Sequence, residues 1–474
     1  MNLEQENKRL RAENAQVRQL LEEALQKIKD LEARLKQHSQ NSNWPSSRDL
    51  GKKKKPKKSL RRKSGQKPGG QKGHQGKTLE FVAEPDTVSV HRPDTCQHCA
   101  EKLSPDVESV AVQKRQVHDL PPVKIEVTEH QVETVECPSC GGLSHGEFPE
   151  TVTNPVQYGS RIKQLALYLK HQQLIPYDRV RQLLSDLFEL SISPGSLQNF
   201  TRKAAKQLSP IMDDVKDALV QSPVIHVDES GFYIGGERHW LHVTSTNDLT
   251  YYYPHRQRGR KAFNALGILP KYEGRAIHDH FSSYWGYDCD HGLCNVHHLR
   301  ELHAVTESDK QPWSQRMATL LLRAKHRVDQ AKADGKTALD PDKLAQIDRV
   351  FNRLIAAAIK AYPPPETGWP RGSRGCVKKP KPLNLAERLA KRKSEVLAFV
   401  HDFKVPFDNN LAERDIRMLK VQQKISGCFR SQQGAEDFCH IRGYISTMRK
   451  QGFNVWDALG SVFTPQVLRP KTPV

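Results

Sequence analysis

Three carboxylates are candidates for chemistry, two of them in settings that carboxylates usually avoid. Asp228 directly follows the apolar run Val224, Ile225 and Val227, and Asp279 follows Ala276 and Ile277 in the same way. Aspartate is disfavoured inside strands, so an acid closing an apolar strand is informative. Neighbouring strands that end in acids set them side by side, and such anions repel unless a cation neutralises them. Oxygen-rich sites of this kind select Mg2+ or Mn2+. The third acid, Glu413, lies in PFDNNLAERDIRMLK, residues 406–420. A helix capped by Asn409 or Asn410 puts Glu413, Arg417 and Lys420 on one stripe, beside Ala412, Ile416 and Leu419. That stripe suits either a Glu→Arg pair on a solvated face or a metal-binding carboxylate backed by cations for phosphate. Glu229, Asp288, Asp290, Asp408 and Asp415 are the nearest competing acids.

The cysteines suggest a second metal chemistry. The sequence has nine, an odd number, with two tight pairs: Cys96-Gln-His-Cys99 and Cys137-Pro-Ser-Cys140-Gly-Gly. Two such knuckles joined by β-ribbon suit a tetrahedral Zn2+ held by four thiolates. The spacing and the odd count fit a reducing compartment better than a disulfide framework.

These groups need elements to position them. At 474 residues the chain implies several domains, and 36% hydrophobic against 27% charged residues implies extended parts beside a true core. The expected architecture is multidomain α+β. Residues 1–37 carry a heptad with seams Leu3, Leu10, Val17, Ala24, Leu31 and Asn7, Asn14, Leu21, Ile28, Leu35, the pattern of a coiled coil. Asn7 and Asn14 at a-type positions favour a parallel dimer. A basic arm follows over 38–77. Its segment 51–77 has twelve Lys or Arg, Lys52, Lys53, Lys54 and Lys55 among them, and no acid. It cannot build a core, and beside a nucleic-acid enzyme it reads as a phosphate-binding arm.

Residues 78–150 form the expected zinc-binding β module, with VKIEVTEHQVETVEC in a strand pattern. Residues 151–220 read as helical, with Ser193 as N-cap and Pro194 at the first helical position. This fits a helix-turn-helix presenting Ser196, Gln198, Asn199 and Arg202, or a plain helical hairpin. From residue 224, three strands, a short helix and a fourth strand over GRAIHDHFSSYWGY give a β-β-β-α-β order matching a ribonuclease-H-like core. That core is expected over 221–304 and 386–450, with a helical insertion over 305–385 and a tail over 451–474. The charge of +20 and pI near 9.5 imply a polyanionic partner. No apolar run approaches the roughly 18 residues of a membrane span, and the charged N-terminus lacks a secretory h-region, so a cytoplasmic, nucleoid-associated protein is expected.

Several long stretches resemble the transposases of the insertion-sequence-66 family: GGQKGHQGKTL, KRQVHDLPPVKIEVTEHQVETVECPSCGG, HVDESGF, LCNVHHLREL and VPFDNNLAERDIRMLKVQQKISGCFRSQQGAE. The resemblance spans almost the whole chain. It implies a DNA transposase with an Asp-Asp-Glu triad at Asp228, Asp279 and Glu413, dependent on Mg2+ or Mn2+. It also suggests accessory partners encoded by the same element. The family's second-acid motif, of Asp-Gly-Tyr type, reads HDHFSSYWGY here. The family's Cys-x-x-His matches Cys294 and His297, for which metal binding, helix packing and phosphate contact are equally good readings. Two other functions fit parts of the sequence. A zinc-dependent DNA-binding regulator would need no carboxylate triad, whereas a nuclease of the same fold would share it.

Overall fold

The computed structural model describes residues 3–35, 73, 79–121, 123–309, 311–365, 377 and 379–472. The proposed basic arm, with Lys52, Lys53, Lys54 and Lys55, lies outside these residues apart from Gly73. Helix α1 (Leu3–Leu35) runs through the heptad region without a break. Its seam residues Leu10, Val17, Leu21, Ile28 and Leu31 are all more than half exposed within the single chain.

The cysteine region has little regular structure. Its ladder pairs β1 (Thr134–Glu136) with β2 (Leu143–His145), antiparallel and flanking the second knuckle. The alternating pattern of residues 123–133 had suggested longer strands, but no strand is assigned there. Most residues of this stretch are exposed, so among the described residues its apolar positions have no second layer to pack on.

Helices α2 (Ser160–Leu167), α3 (Tyr177–Phe188) and α4 (Pro194–Val220) follow, with a π-helical turn at Tyr168–Gln172. Ser193 caps α4 as expected, its hydroxyl accepting from Ser196 N at 3.0 Å. The helix is long because its two halves have different duties. The first half packs Leu197 and Phe200 on α3, and the second half sinks Met212, Val215 and Leu219 into the main core.

That core is organised by a five-stranded sheet. Strands β3 (Val224–Ile234), β4 (Glu237–Ser245) and β5 (Thr250–His255) form the expected antiparallel meander, followed by α5 (Arg260–Leu266). Strand β6 (Arg275–His278) then pairs parallel to β3 on its free side, and β7 (Asp290–Leu293) pairs parallel to β6. The order is β5-β4-β3-β6-β7. The expected fourth strand is therefore short, ends at His278 and gives way to a 3-10 turn at Ser282–Gly286. The fifth strand was not expected. Its four residues, Asp-His-Gly-Leu, lack the β-branched pattern that marks strands.

Helices α6 (Asn295–Asp309), α7 (Pro312–Ala333), α8 (Pro341–Lys360), α9 (Lys381–Lys391), α10 (Lys393–Val396) and α11 (Ala398–His401) build a second core beyond β7. The chain returns to the sheet through α12 (Asn410–Ser426), α13 (Gln432–Lys450) and α14 (Val455–Ser461). Helix α13 lies against α4 and β5, and Thr447 Oγ1 accepts from Thr250 N at 3.0 Å. Among the described residues no helix is long and apolar enough to cross a membrane.

The α13 crossing is close because Gly443 has no side chain. A Cβ there would stand 2.6 Å from Met212 Cε and 3.2 Å from Thr250 O. Overpacking of this kind costs about 1–3 kcal/mol, more than the roughly 1 kcal/mol that alanine gains in helix propensity. Gly443→Ala should therefore lower the denaturant midpoint, and an unchanged or raised midpoint would show that the crossing is loosely packed.

Candidate functional site

The parallel strands bring three side chains to one edge of the sheet. The ladder pairs His226 with Ile277, and two further steps along each chain reach Asp228 and Asp279. The next ladder pairs His278 with Leu293, so one further step reaches Asp279 and Cys294. Asp279 and Cys294 thus follow the carboxyl ends of β6 and β7, and Asp228, inside the longer β3, stands level with them in one row. In open sheets such ends are where ligands bind. Three of the competing acids fall elsewhere, whereas Glu229 adjoins the row. Asp290 opens β7 at the opposite end, across from Arg275, with which it pairs at 2.7 Å. Asp288 is exposed and precedes it. Asp415 faces away from the row and pairs with Lys450 at 2.7 Å.

Glu413 reaches the row through the DNN segment. The helix begins at Asn410 with Asn409 in the N-cap position, but the Asn409 side chain does not cap it. Its Nδ2 donates to Val227 O at 2.8 Å and its Oδ1 lies 2.9 Å from His226 Nδ1, both on β3. Its backbone N–H points to Cys294 Sγ at 3.3 Å. The turn-forming role falls to Asp408, whose Oδ1 accepts from Asn410 N. Helix α12 then packs Ala412, Ile416 and Leu419 against Phe232, Leu241 and Val243. Glu413, on its first turn, is left with Oε1 buried and without a hydrogen-bond partner, 4.0 Å from His297 Nε2.

The row is crowded with negative charge. The Asp228 carboxyl is pushed well above the usual range by burial, then by the charges of Glu229, Asp279 and Glu413. Glu229 is itself raised to about 7, by burial and then by Asp279. Arg258 offsets part of this: its Nε donates to Glu229 Oε1 at 2.7 Å and its Nη2 lies 3.8 Å from Asp279 Oδ2. The guanidinium is held in place over the Phe281 ring, 4.1 Å from its centre. Tyr284 OH donates to the other Glu229 oxygen at 2.5 Å. Neither Arg258 nor Tyr284 was anticipated. Arg258 lies in HRQRGR, where nothing separates one arginine from its neighbours.

The other expected residues lie as follows. Arg417 is exposed, whereas Lys420 turns its Nζ onto Gly231 O at 2.9 Å and is half-buried. Burial lowers its pKa, with Arg238 adding to the effect. Gln198, Asn199 and Arg202 share an exposed face on the first half of α4.

The two cysteine knuckles have the same backbone. Cys96 N donates to Glu101 O and Ala100 N to Cys96 O, and Cys137 N donates to Gly142 O and Gly141 N to Cys137 O, all at 2.8–2.9 Å. The residue after each second cysteine is left-handed, Ala100 at φ 61° and Gly141 at φ 69°. Glycine takes that conformation without cost, so the second knuckle is the less strained. Each turn lowers the pKa of its leading thiol through backbone N–H groups, Cys99 and His98 for Cys96, Ser139 and Cys140 for Cys137. Among the described residues, the group of three or more His, Cys, Asp or Glu ligand atoms within 4.8 Å of one another is Cys294, His297 and Glu413. The two knuckles are not drawn together to that distance, nor are Asp228, Asp279 and Glu413.

The chain is a mixed α+β protein with an acidic row on its sheet and two paired cysteine knuckles. Residues 155–437, more than half of the chain, match the family described as Transposase IS66 family. Residues 93–141 match the zinc-finger binding domain of transposase IS66, and residues 2–80 match a family of unknown function. No curated protein matches. The chain belongs to the IS66 family of transposases.

Asn409 is the joint between Glu413 and β3, which gives a direct test. Asn409→Ala leaves Val227 O and His226 Nδ1 buried and unpaired, a loss of about 1–3 kcal/mol. Denaturant unfolding should show it, while Asn410→Ala should be nearly neutral.

Proposed function

We propose that the protein is a DNA transposase that cleaves and joins strands at the ends of its element through Asp228, Asp279 and Glu413. In this reading the five-stranded sheet, with Asp228 on β3 level with the carboxyl ends of β6 and β7, is a ribonuclease-H-like catalytic core. The observation that carries the reading is the common row: two acids that are 51 residues apart in sequence sit at the same level because the β3–β6 register has that same offset.

The donor set suits a hard divalent cation. It offers carboxylate oxygens, its Asp228 is destabilised as an anion by its neighbours, and Glu413 Oε1 has no partner. Mg2+ or Mn2+ held by Asp228, Asp279 and Glu413 would supply activation of the attacking oxygen and neutralisation of the leaving one. The chain's own groups set the stage. Asn409 fixes where Glu413 stands, and Arg258 holds Asp279 and Glu229 in one charge balance. The reaction class is phosphodiester hydrolysis exposing a 3′-hydroxyl, followed by transesterification onto target DNA.

Affinity for DNA is assigned to cations away from the acids. Arg417 and Lys420 flank the row, Gln198, Asn199 and Arg202 offer an exposed helical face, and Lys52, Lys53, Lys54 and Lys55 lead the basic arm. Phosphate contacts of this kind bind without reading sequence. The exposed apolar seam of α1 suits a parallel coiled coil, and hence a dimer or larger assembly. Zn2+ held by Cys96, Cys99, Cys137 and Cys140 would tie the module together, because thiolates preset by each knuckle need a cation to share them.

Two experiments test these assignments. Asp279→Asn should abolish strand transfer with labelled element ends while leaving DNA binding nearly intact, and Asp290→Asn should retain activity. The opposite pattern would remove Asp279 from the site. Asp228→Asn should likewise be inactive yet unfold at higher denaturant, because it relieves the crowded charge. Separately, Cys137→Ser should lose bound zinc and the order of the 93–141 region, read by metal analysis and protease sensitivity. Full zinc content in that variant would refute four-thiolate binding.

A further inference from the structure

We propose that Cys294, His297 and Glu413 form a second cation site, for a borderline-soft divalent ion of the Zn2+ class, which shares Glu413 with the carboxylate row. The inference does not depend on whether that row cuts DNA.

Cys294 ends the β7 path and His297 lies on the first turn of α6, with His297 N donating to Cys294 O at 3.2 Å. A three-residue spacing at the start of a helix turns both side chains to one side. That side meets the first turn of α12, which carries Glu413. One ligand atom from each residue falls within 4.8 Å of the others, and His297 Nε2 is 4.0 Å from Glu413 Oε1. A shared ion with bonds of about 2.0–2.3 Å needs only small side-chain rotations to bring these atoms into range.

The unpaired atoms separate this cluster from ordinary packing. Glu413 Oε1 and His297 Nδ1 are both buried without a hydrogen-bond partner, although buried polar atoms are nearly always paired. The neighbouring polar residues on the same turn are satisfied. Asn295 Nδ2 donates to Val396 O at 2.9 Å, and His298 Nδ1 is 3.2 Å from Asn295 Oδ1. The start of α6 therefore has a structural pair, Asn295 and His298, beside Cys294 and His297, which approach Glu413. Asn409 N, pointing at Cys294 Sγ, supplies a donor suited to a ligating sulfur.

The donor set decides the metal. One sulfur, one imidazole and one carboxylate match Zn2+ and similar ions, whereas Mg2+ takes oxygen ligands. Three protein ligands leave a fourth position open, as in zinc sites that bind water or substrate. Because a carboxylate has two oxygens, Glu413 can serve this site and the Asp228–Asp279 row at once.

The test uses the full-length chain, loaded with Zn2+ and freed of excess, with metal counted by mass spectrometry and folding checked by circular dichroism. Cys294→Ser and His297→Gln should each hold one Zn2+ fewer per chain than the unmodified protein. Cys137→Ser should lose metal independently of them, so that losses from the two sites add. Should Cys294→Ser fail to fold, His297→Gln, at a half-buried position, decides the matter. Unchanged zinc content in folded His297→Gln would overturn the proposal. Failure of the carboxylate reading would appear instead as strand transfer surviving Asp279→Asn, whatever the metal count.

Discussion

The buried amide of Asn409 joins parts of the chain that are otherwise far apart. Its side chain holds Val227 O and His226 on β3, and its backbone N–H meets Cys294 at the end of β7. Residues about 180 positions apart in sequence are thereby fixed within one hydrogen bond of each other. An amide suits this task because it donates and accepts at once, and in a dry setting both bonds are costly to lose. The direction of α12 then follows, and with it the height of Glu413 above the sheet edge. Asn295 N, donating to Phe407 O at 3.1 Å, adds a second tie between the α6 start and the same segment. The helices between α6 and α12 can therefore form a core of their own without loosening the site.

What the amide holds together, the charges push apart. Asp228, Glu229, Asp279 and Glu413 share one electrostatic environment, and Arg258 is the cation in direct contact with two of them. Burial and mutual repulsion both favour protonated carboxyls, which is why Glu229 is shifted to about 7. The fold bears this strain through packing elsewhere: the Ala412, Ile416 and Leu419 stripe presses α12 on the sheet, and α13 packs on β5. A structural ion pair would balance its charges. This one leaves an excess of anions, the condition under which a divalent cation binds.

Much of this was legible in the sequence because the signals were local. Asp228 and Asp279 stood out against apolar strands, the meander showed its turns, and the Ser193-Pro194 cap marked α4. What could not be read depended on partners distant in sequence. Asn409 looks like a helix cap, and only the packing of α12 on β3 shows that its side chain is spent across the sheet. Strand β7 is four residues long with a glycine at its centre. Gly292 is needed there because a Cβ would stand 2.5 Å from Ile277 Cδ1, so the strand is set by neighbours rather than by propensity. Arg258 and Tyr284 were invisible for the same reason. In the cysteine region the difference ran the other way: alternation suggests strands, but among the described residues no second layer packs on them.

The overall charge and the local charge of this protein have opposite signs, and the opposition has a physical sense. A chain at +20 draws in a polyanion from any direction. A phosphate that reached the sheet edge would meet four carboxylates and be repelled, unless cations stood between them. In the proposed function, affinity and chemistry therefore fall to different groups: arginines and lysines to hold the backbone, and the acids of the row to recruit metal. The same division explains why Lys420 is best tied to Gly231 O rather than to Glu413. A cation neutralising Glu413 from within the protein would compete with the divalent ion for the same oxygens. His297 faces Glu413 at 4.0 Å instead, and an imidazole can share a divalent ion with a carboxylate rather than displace it.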